Sequence, residues 1–140
     1  MILDLTSLTL AVRSMEAAVS EATSEAFIGT LTGAQRDLVR AGVIQNFEFT
    51  YEMRWKFMKR RLAEDLGATR VDGIPRRELF RLAAEHLLID DVASWFRYHT
   101  ARNLTAHTYN ADTADEVFRV VRAFVSDARA FLTALETRNG

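Results

Sequence analysis

Apolar residues along the chain recur at three- and four-residue steps almost throughout, and no stretch alternates with a period of two. Leu5, Leu8, Val12, Met15 and Val19 predict a first amphipathic helix over about residues 5–26. Gly29 and Gly33, with Thr30 and Thr32, mark a loop. A long second helix is expected from about Ala34 or later to Leu66, with Gly67 placed to end it and Gly42 as an internal weak point where it could instead begin. Pro75 suits the first position of a third helix carrying Leu79, Leu82, Ala83 and Leu87. A fourth follows Asp90 and Asp91 with Val92, Trp95, Phe96 and His99. Thr113 to Glu116 reads as a capping box that starts the last helix, whose core face is Val117, Val120, Val121, Phe124 and Phe131. The pattern predicts one all-α domain over residues 1–140, an up-and-down bundle of four to five helices.

On a wheel of 100° per residue, the second helix has three stripes. Ile44, Phe47, Tyr51, Trp55, Met58 and Leu62 form a core face. Phe49, Met53 and Phe57 form a second apolar face, suited to a second copy of the chain. Between them runs a polar strip of Gln45, Glu48, Glu52, Lys56 and Lys59. Glu52 and Lys56 are one turn apart and read most simply as a surface ion pair; the sharper reading has Glu48 and Glu52 line a groove.

Composition narrows the class. Of 140 residues, 49% are apolar and 26% charged, ordinary for a soluble domain. No cysteine is present, which removes disulfides and thiolate chemistry. The first residues, MILDLTSLTLAVRSM, lack the basic start and continuous apolar run of a signal peptide, and no stretch has the roughly 20 apolar residues a membrane helix needs. A cytoplasmic protein without a membrane partner is expected. A net charge of −1 makes no global case for nucleic acid. Arg54, Lys56, Lys59, Arg60 and Arg61, then Arg76, Arg77 and Arg81, cluster locally and read as solvated helix surface.

Chemistry gathers in the segment ARNLTAHTYN at residues 101–110. Arg102 and Asn103 fall at the end of the fourth helix, and His107 and Tyr109 in the connection to the last. On one unbroken helix Arg102 and His107 would stand roughly 140° apart, so a bend after Leu104 or Thr105 is needed for both to face one target. His99 and His107 have no partner at metal-ligand spacing, no G-x-S-x-G turn is present, and no glycine loop cradles a phosphate. No metal or cofactor is called for. An arginine with a histidine is a different case. The guanidinium holds a phosphate and stabilises charge growing on phosphorus, while the imidazole moves a proton near neutral pH. Together they suffice for metal-free cleavage of RNA by its own 2′-hydroxyl. The alternative is purely structural: His107 bonds a loop carbonyl, Arg102 caps a helix end, and Tyr109 packs with its hydroxyl exposed.

The R-N-x-x-x-H of residues 102–107, continuing to Tyr109, is similar to the signature of HEPN domains, in the branch of nucleotidyltransferase substrate-binding proteins. The long helix also resembles that branch in Phe47, Glu48, Tyr51, Glu52, Trp55 and Lys56, and the likeness spans nearly the whole chain. Ile74 departs from it, standing before Pro75 where the family usually has serine. The resemblance implies a helical homodimer, often with the two Arg–His motifs in one cleft. It implies a metal-independent ribonuclease toxin paired with a minimal nucleotidyltransferase (MNT) antitoxin that can transfer AMP to the tyrosine. On that pattern Arg102 binds phosphate, His107 transfers protons, Asn103 orients them, and Tyr109 accepts AMP. A non-catalytic subunit that presents a substrate to the nucleotidyltransferase is the alternative.

Overall fold

The computed structural model describes residues 2–139 and contains no strand among them. Five principal helices are α1 (Thr6–Ala22), α3 (Gly33–Leu66), α5 (Arg76–Glu85), α6 (Val92–Leu104) and α7 (Ala111–Asn139). Two single-turn helices, α2 (Glu25–Ile28) and α4 (Ala68–Val71), fill the first two connections, and a 3₁₀ turn at Thr105–His107 follows α6.

α3 touches α1, α5, α6 and α7, so it is the spine of the molecule. Residue pairs fix the directions. Arg40 meets Asp115 and Arg54 meets Asp127, so α3 and α7 run parallel. Tyr51 meets His99 while Glu48 approaches Arg102, so α6 runs against α3. Glu16 pairs with Arg129, and Leu3 exchanges two hydrogen bonds with the Asn139 side chain, so α1 runs against α7. The result is the up-and-down arrangement that short helix connections favour, with α5 packed across α3 and α6.

Local chemistry explains where several boundaries depart from periodicity. The first helix stops at Ala22, and Ser24 restarts the chain as α2 by accepting from the Phe27 amide. α3 begins well before Gly42. Thr32 Oγ1 accepts from the Gln35 amide at 3.1 Å while Gln35 Oε1 accepts from the Thr32 amide at 2.8 Å, a reciprocal capping box. Gly42 lies inside this helix with open space around it, at the roughly 1 kcal/mol a mid-helix glycine costs. Gly67 then ends α3 with φ of 94°, a backbone conformation open to glycine. Pro75 caps α5 from outside rather than occupying its first turn. Leu87 is no core residue: it adopts φ of 61° and is exposed, and Leu88 and Ile89 are buried in its place. Thr113 does not start α7. Asn110 does, its Oδ1 accepting from the amides of Asp112 at 2.9 Å and Thr113 at 3.3 Å.

The core face of α3 packs as its spacing predicts, with Ile44, Phe47, Tyr51, Met58 and Leu62 buried and Trp55 half-buried. Phe47, Trp95, Tyr98, Phe124 and Phe131 join it in a network of edge-to-face rings. Two expectations fail here. Phe57 is buried in the core and cannot belong to a surface face. Arg54 and Arg61 are buried too, not part of a solvated basic surface.

Candidate functional site at the α6–α7 corner

The α6–α7 corner is built by one threonine. Thr105 Oγ1 donates to the Arg102 carbonyl at 2.7 Å, satisfying a last-turn acceptor of α6. The same oxygen accepts from Arg102 Nη1 at 2.9 Å. α6 therefore ends at Leu104, and the tighter 3₁₀ turn of Thr105–His107 takes His107 off the α6 wheel, as a shared target for Arg102 and His107 requires.

Arg102 projects back to α3, where two carboxylates receive it. Its Nε lies 3.3 Å from Glu52 Oε1, and its Nη1 lies 3.9 Å from Glu48 Oε2. The Nε hydrogen is not aimed for a proper hydrogen bond, so charge attraction holds this edge. Glu52 also accepts from the Trp55 indole N–H at 2.9 Å, which fixes the carboxylate. Glu48 and Glu52 thus face Arg102 and orient it, and Nη2 makes no hydrogen bond among the described residues. Lys56 is exposed and takes no part in this cluster; its ammonium lies 5.9 Å from the Trp55 ring centre.

His107 and Tyr109 are brought together on the other side of the corner. Their rings meet edge to face with centres 6.1 Å apart. Both are exposed, Tyr109 at 86%. Neither side chain makes a hydrogen bond to the described residues, and no hydrogen bond or cation–ring contact joins either of them to Arg102. Asn103 is exposed and its side chain is unbonded among the described residues. His107 bonds no loop carbonyl among the described residues, Thr105 closes the helix end, and Tyr109 meets the His107 ring with its hydroxyl unbonded.

Periodicity does not single out a second cluster behind the first. Arg76, the first residue of α5, lies over Trp55, its guanidinium carbon 4.0 Å from a ring centre. Its Nη1 donates to Tyr51 Oη at 3.0 Å and lies 3.3 Å from His99 Nδ1. Tyr51 Oη and His99 Nδ1 are 2.9 Å apart. Arginine only donates, so His99 Nδ1 accepts and the imidazole proton sits on Nε2. Burial, and then the nearby Arg76 charge, lower the His99 pKa and favour this neutral form; Glu52 opposes them. Burial pushes the Tyr51 hydroxyl up to about 12, so it stays protonated. Each residue is visible as a letter, but only tertiary packing shows that α3, α5 and α6 converge on them.

The family known as “nucleotidyltransferase substrate binding protein like” matches residues 3–137. A Haemophilus influenzae protein named probable ribonuclease HepT is 31% identical over 138 residues, covering 98% of this chain and 94% of its own length. The solved structure of HI0074 from Haemophilus influenzae, whose fold is that of a substrate-binding domain of a nucleotidyltransferase, superposes with a TM-score of 0.91 at 30% identity. That match covers 95% of this chain and 99% of the other. A crystal structure from Thermus thermophilus matches with a TM-score of 0.70 at 27% identity, over 89% of this chain and 98% of its own. The all-helical fold is shared with HI0074, and this chain belongs to the HEPN-like family of nucleotidyltransferase substrate-binding proteins.

Proposed function

We propose that the chain is a metal-independent endoribonuclease, the toxin of a HEPN–MNT module in the cytoplasm. The observation that carries this reading is that Arg102 Nη2 and the polar side-chain atoms of His107 and Tyr109 stand at one corner with no hydrogen-bond partner among the described residues. Exposed polar groups with no packing role, set on a connection between rigid helices, are the usual form of a working site. The naming of a 31% identical relative as a probable ribonuclease supports the same reading.

In this mechanism the Arg102 guanidinium holds the scissile phosphate, with Glu48 and Glu52 orienting its other edges. The RNA 2′-oxygen attacks phosphorus and the bond to the 5′-oxygen breaks, leaving a cyclic phosphate and a 5′-hydroxyl. His107 transfers a proton in this step, and Asn103 orients the pair. Two copies act as a homodimer. The MNT partner silences the enzyme at Tyr109: the phenol oxygen attacks the α-phosphorus of ATP, a phosphodiester forms, and pyrophosphate leaves. The attached AMP puts an anion beside Arg102 and His107, where it competes with RNA.

A second reading, a non-catalytic subunit that presents a substrate to the nucleotidyltransferase, is favoured by the family description and by the domain named for HI0074. One assay separates the two. RNA is incubated with the chain in the presence of chelator, beside His107→Ala. The ribonuclease reading expects cyclic-phosphate ends and a loss of about 10²–10⁴-fold on substitution. Intact RNA with a folded protein supports the subunit reading. With the partner and ATP, Tyr109 is expected to gain the mass of AMP, and Tyr109→Phe to gain none.

A further inference from the structure

The α3 strip that receives Arg102 continues for one more turn and meets Arg76. Most arginines that make a close polar contact here have a carboxylate within ion-pair reach: Arg40, Arg61, Arg81, Arg102, Arg129 and Arg138 all do. Arg76 has none among the described residues, although it is half-buried. Nor does its own helix attract it, since a cation in the first turn of α5 faces the positive end of the dipole. The Trp55 face and the Tyr51 hydroxyl hold the guanidinium in place. A half-buried cation held in place with no carboxylate in ion-pair contact, its nearest acidic group Glu52 facing Arg102 instead, can take an anion from outside.

Its position relative to Arg102 narrows the class of anion. Glu52 faces Arg102 with one carboxylate oxygen and takes the Trp55 indole N–H with the other. Arg76 lies on the ring of that same tryptophan. The two guanidinium groups therefore flank a single Glu52–Trp55 pair. His99, the neutral neighbour of Arg76, stands three residues before Arg102 on α6, so the same helix face joins them. A strand that carries several phosphates offers one to each guanidinium.

We propose that Arg76 is a second phosphate-binding residue, holding the RNA backbone next to the phosphate engaged by Arg102, with Trp55 as its support. The inference rests on the ribonuclease reading and extends it from a point of cleavage to a track. Trp55 in this role carries an arginine and stacks no base.

The test uses His107→Ala protein, so that RNA stays intact, and a fluorescent single-stranded RNA titrated at several salt concentrations. Arg76→Gln in that background is expected to weaken binding about tenfold and to lower the slope of log affinity against log salt by about 0.7, one phosphate contact. Arg76→Met keeps the aliphatic stem on Trp55 and should give the same loss, so a folding defect in one variant does not decide the matter. Arg76→Lys should restore the slope. Arg81→Gln, an exposed arginine paired with Glu78, should leave it unchanged. If unsubstituted protein cuts RNA while Arg76→Gln and Arg76→Met bind with the parental slope, the second contact is overturned and the ribonuclease stands. If unsubstituted protein neither cuts nor binds RNA, the ribonuclease reading falls and the track with it.

Discussion

Arg54 shows how a single letter can mislead. It stands in the run RWKFMKRRL, where neighbouring lysines and arginines suggest solvent. In the structure it is fully buried, with its guanidinium carbon 4.6 Å from the Phe131 ring centre, 5.1 Å from Trp95 and 5.4 Å from Phe124. One nitrogen, Nη2, donates to the Asp127 carbonyl at 3.0 Å, while Nε and Nη1 find no acceptor among the described residues. Burial pulls its pKa down to about 9, against the pull of the Asp127 carboxylate. Spacing does carry the position. Arg54 is seven residues from Phe47, and Arg61 seven further, so both fall on the core stripe. Charge alone argues them outward, and the aromatic cage that admits Arg54 comes from α6 and α7, beyond the reach of local pattern. Because desolvating the guanidinium is costly, Arg54→Met should change stability by less than about 1.5 kcal/mol. Arg54→Ala leaves a cavity and should cost about 3–5 kcal/mol. Urea denaturation of both variants checks this; equal losses would mean that the cation itself holds the three rings together.

Among elements, the starts of α3 and α7 show what the sequence displays and what it conceals. The segment NADTADE offers two caps, Asn110 and the Thr113–Glu116 box, and periodicity alone does not choose. The structure uses Asn110, which satisfies two orphan amides and adds a turn to α7. That choice also ends the connection at once after Tyr109, so the AMP-acceptor candidate sits directly before a fixed helix end. Asn110→Ala should cost about 1 kcal/mol, whereas Thr113→Ala should stay within about 0.5 kcal/mol. Chemical denaturation distinguishes them, and a reversed order would restore the capping box. At α3 the glycines at 33 and 42 draw attention away from Thr32 and Gln35, whose reciprocal cap overrides both. The corner itself is legible, since the break after Leu104 follows from asking Arg102 and His107 to share a target. Arg76 and His99 are not, because their meeting depends on how α5 crosses α3 and α6.

At the scale of the whole molecule, the five principal helices follow from periodicity, because each buries one continuous stripe, while the central place of α3 and the single-turn α2 and α4 emerge only in the structure. The surface it leaves open is less simply read. Phe57 is in the core and Met53 half-buried, so of the expected second face only Phe49 stays exposed, at 59%. Leu38 is exposed at 73% and lies eleven residues earlier, within roughly 20° on the same helix. Gly42 lies between them with open space where a Cβ would stand, which lets another backbone approach closely. Leu38, Gly42 and Phe49 therefore mark a shallow apolar line roughly a quarter-turn round α3 from Glu48, whose carboxylate faces Arg102. A second copy packed about a two-fold axis on this line would bring the two Arg102 sites toward each other. Sedimentation equilibrium should find a dimer at micromolar concentration, and Phe49→Glu or Leu38→Glu should weaken it at least about tenfold by burying an unpaired charge. A monomer in the parent protein would remove the dimer. A dimer that resists both substitutions would move the interface to another face of the bundle. If cleavage per chain falls in parallel with dimerisation, the working site is made by two copies, and the corner of one chain is half of it.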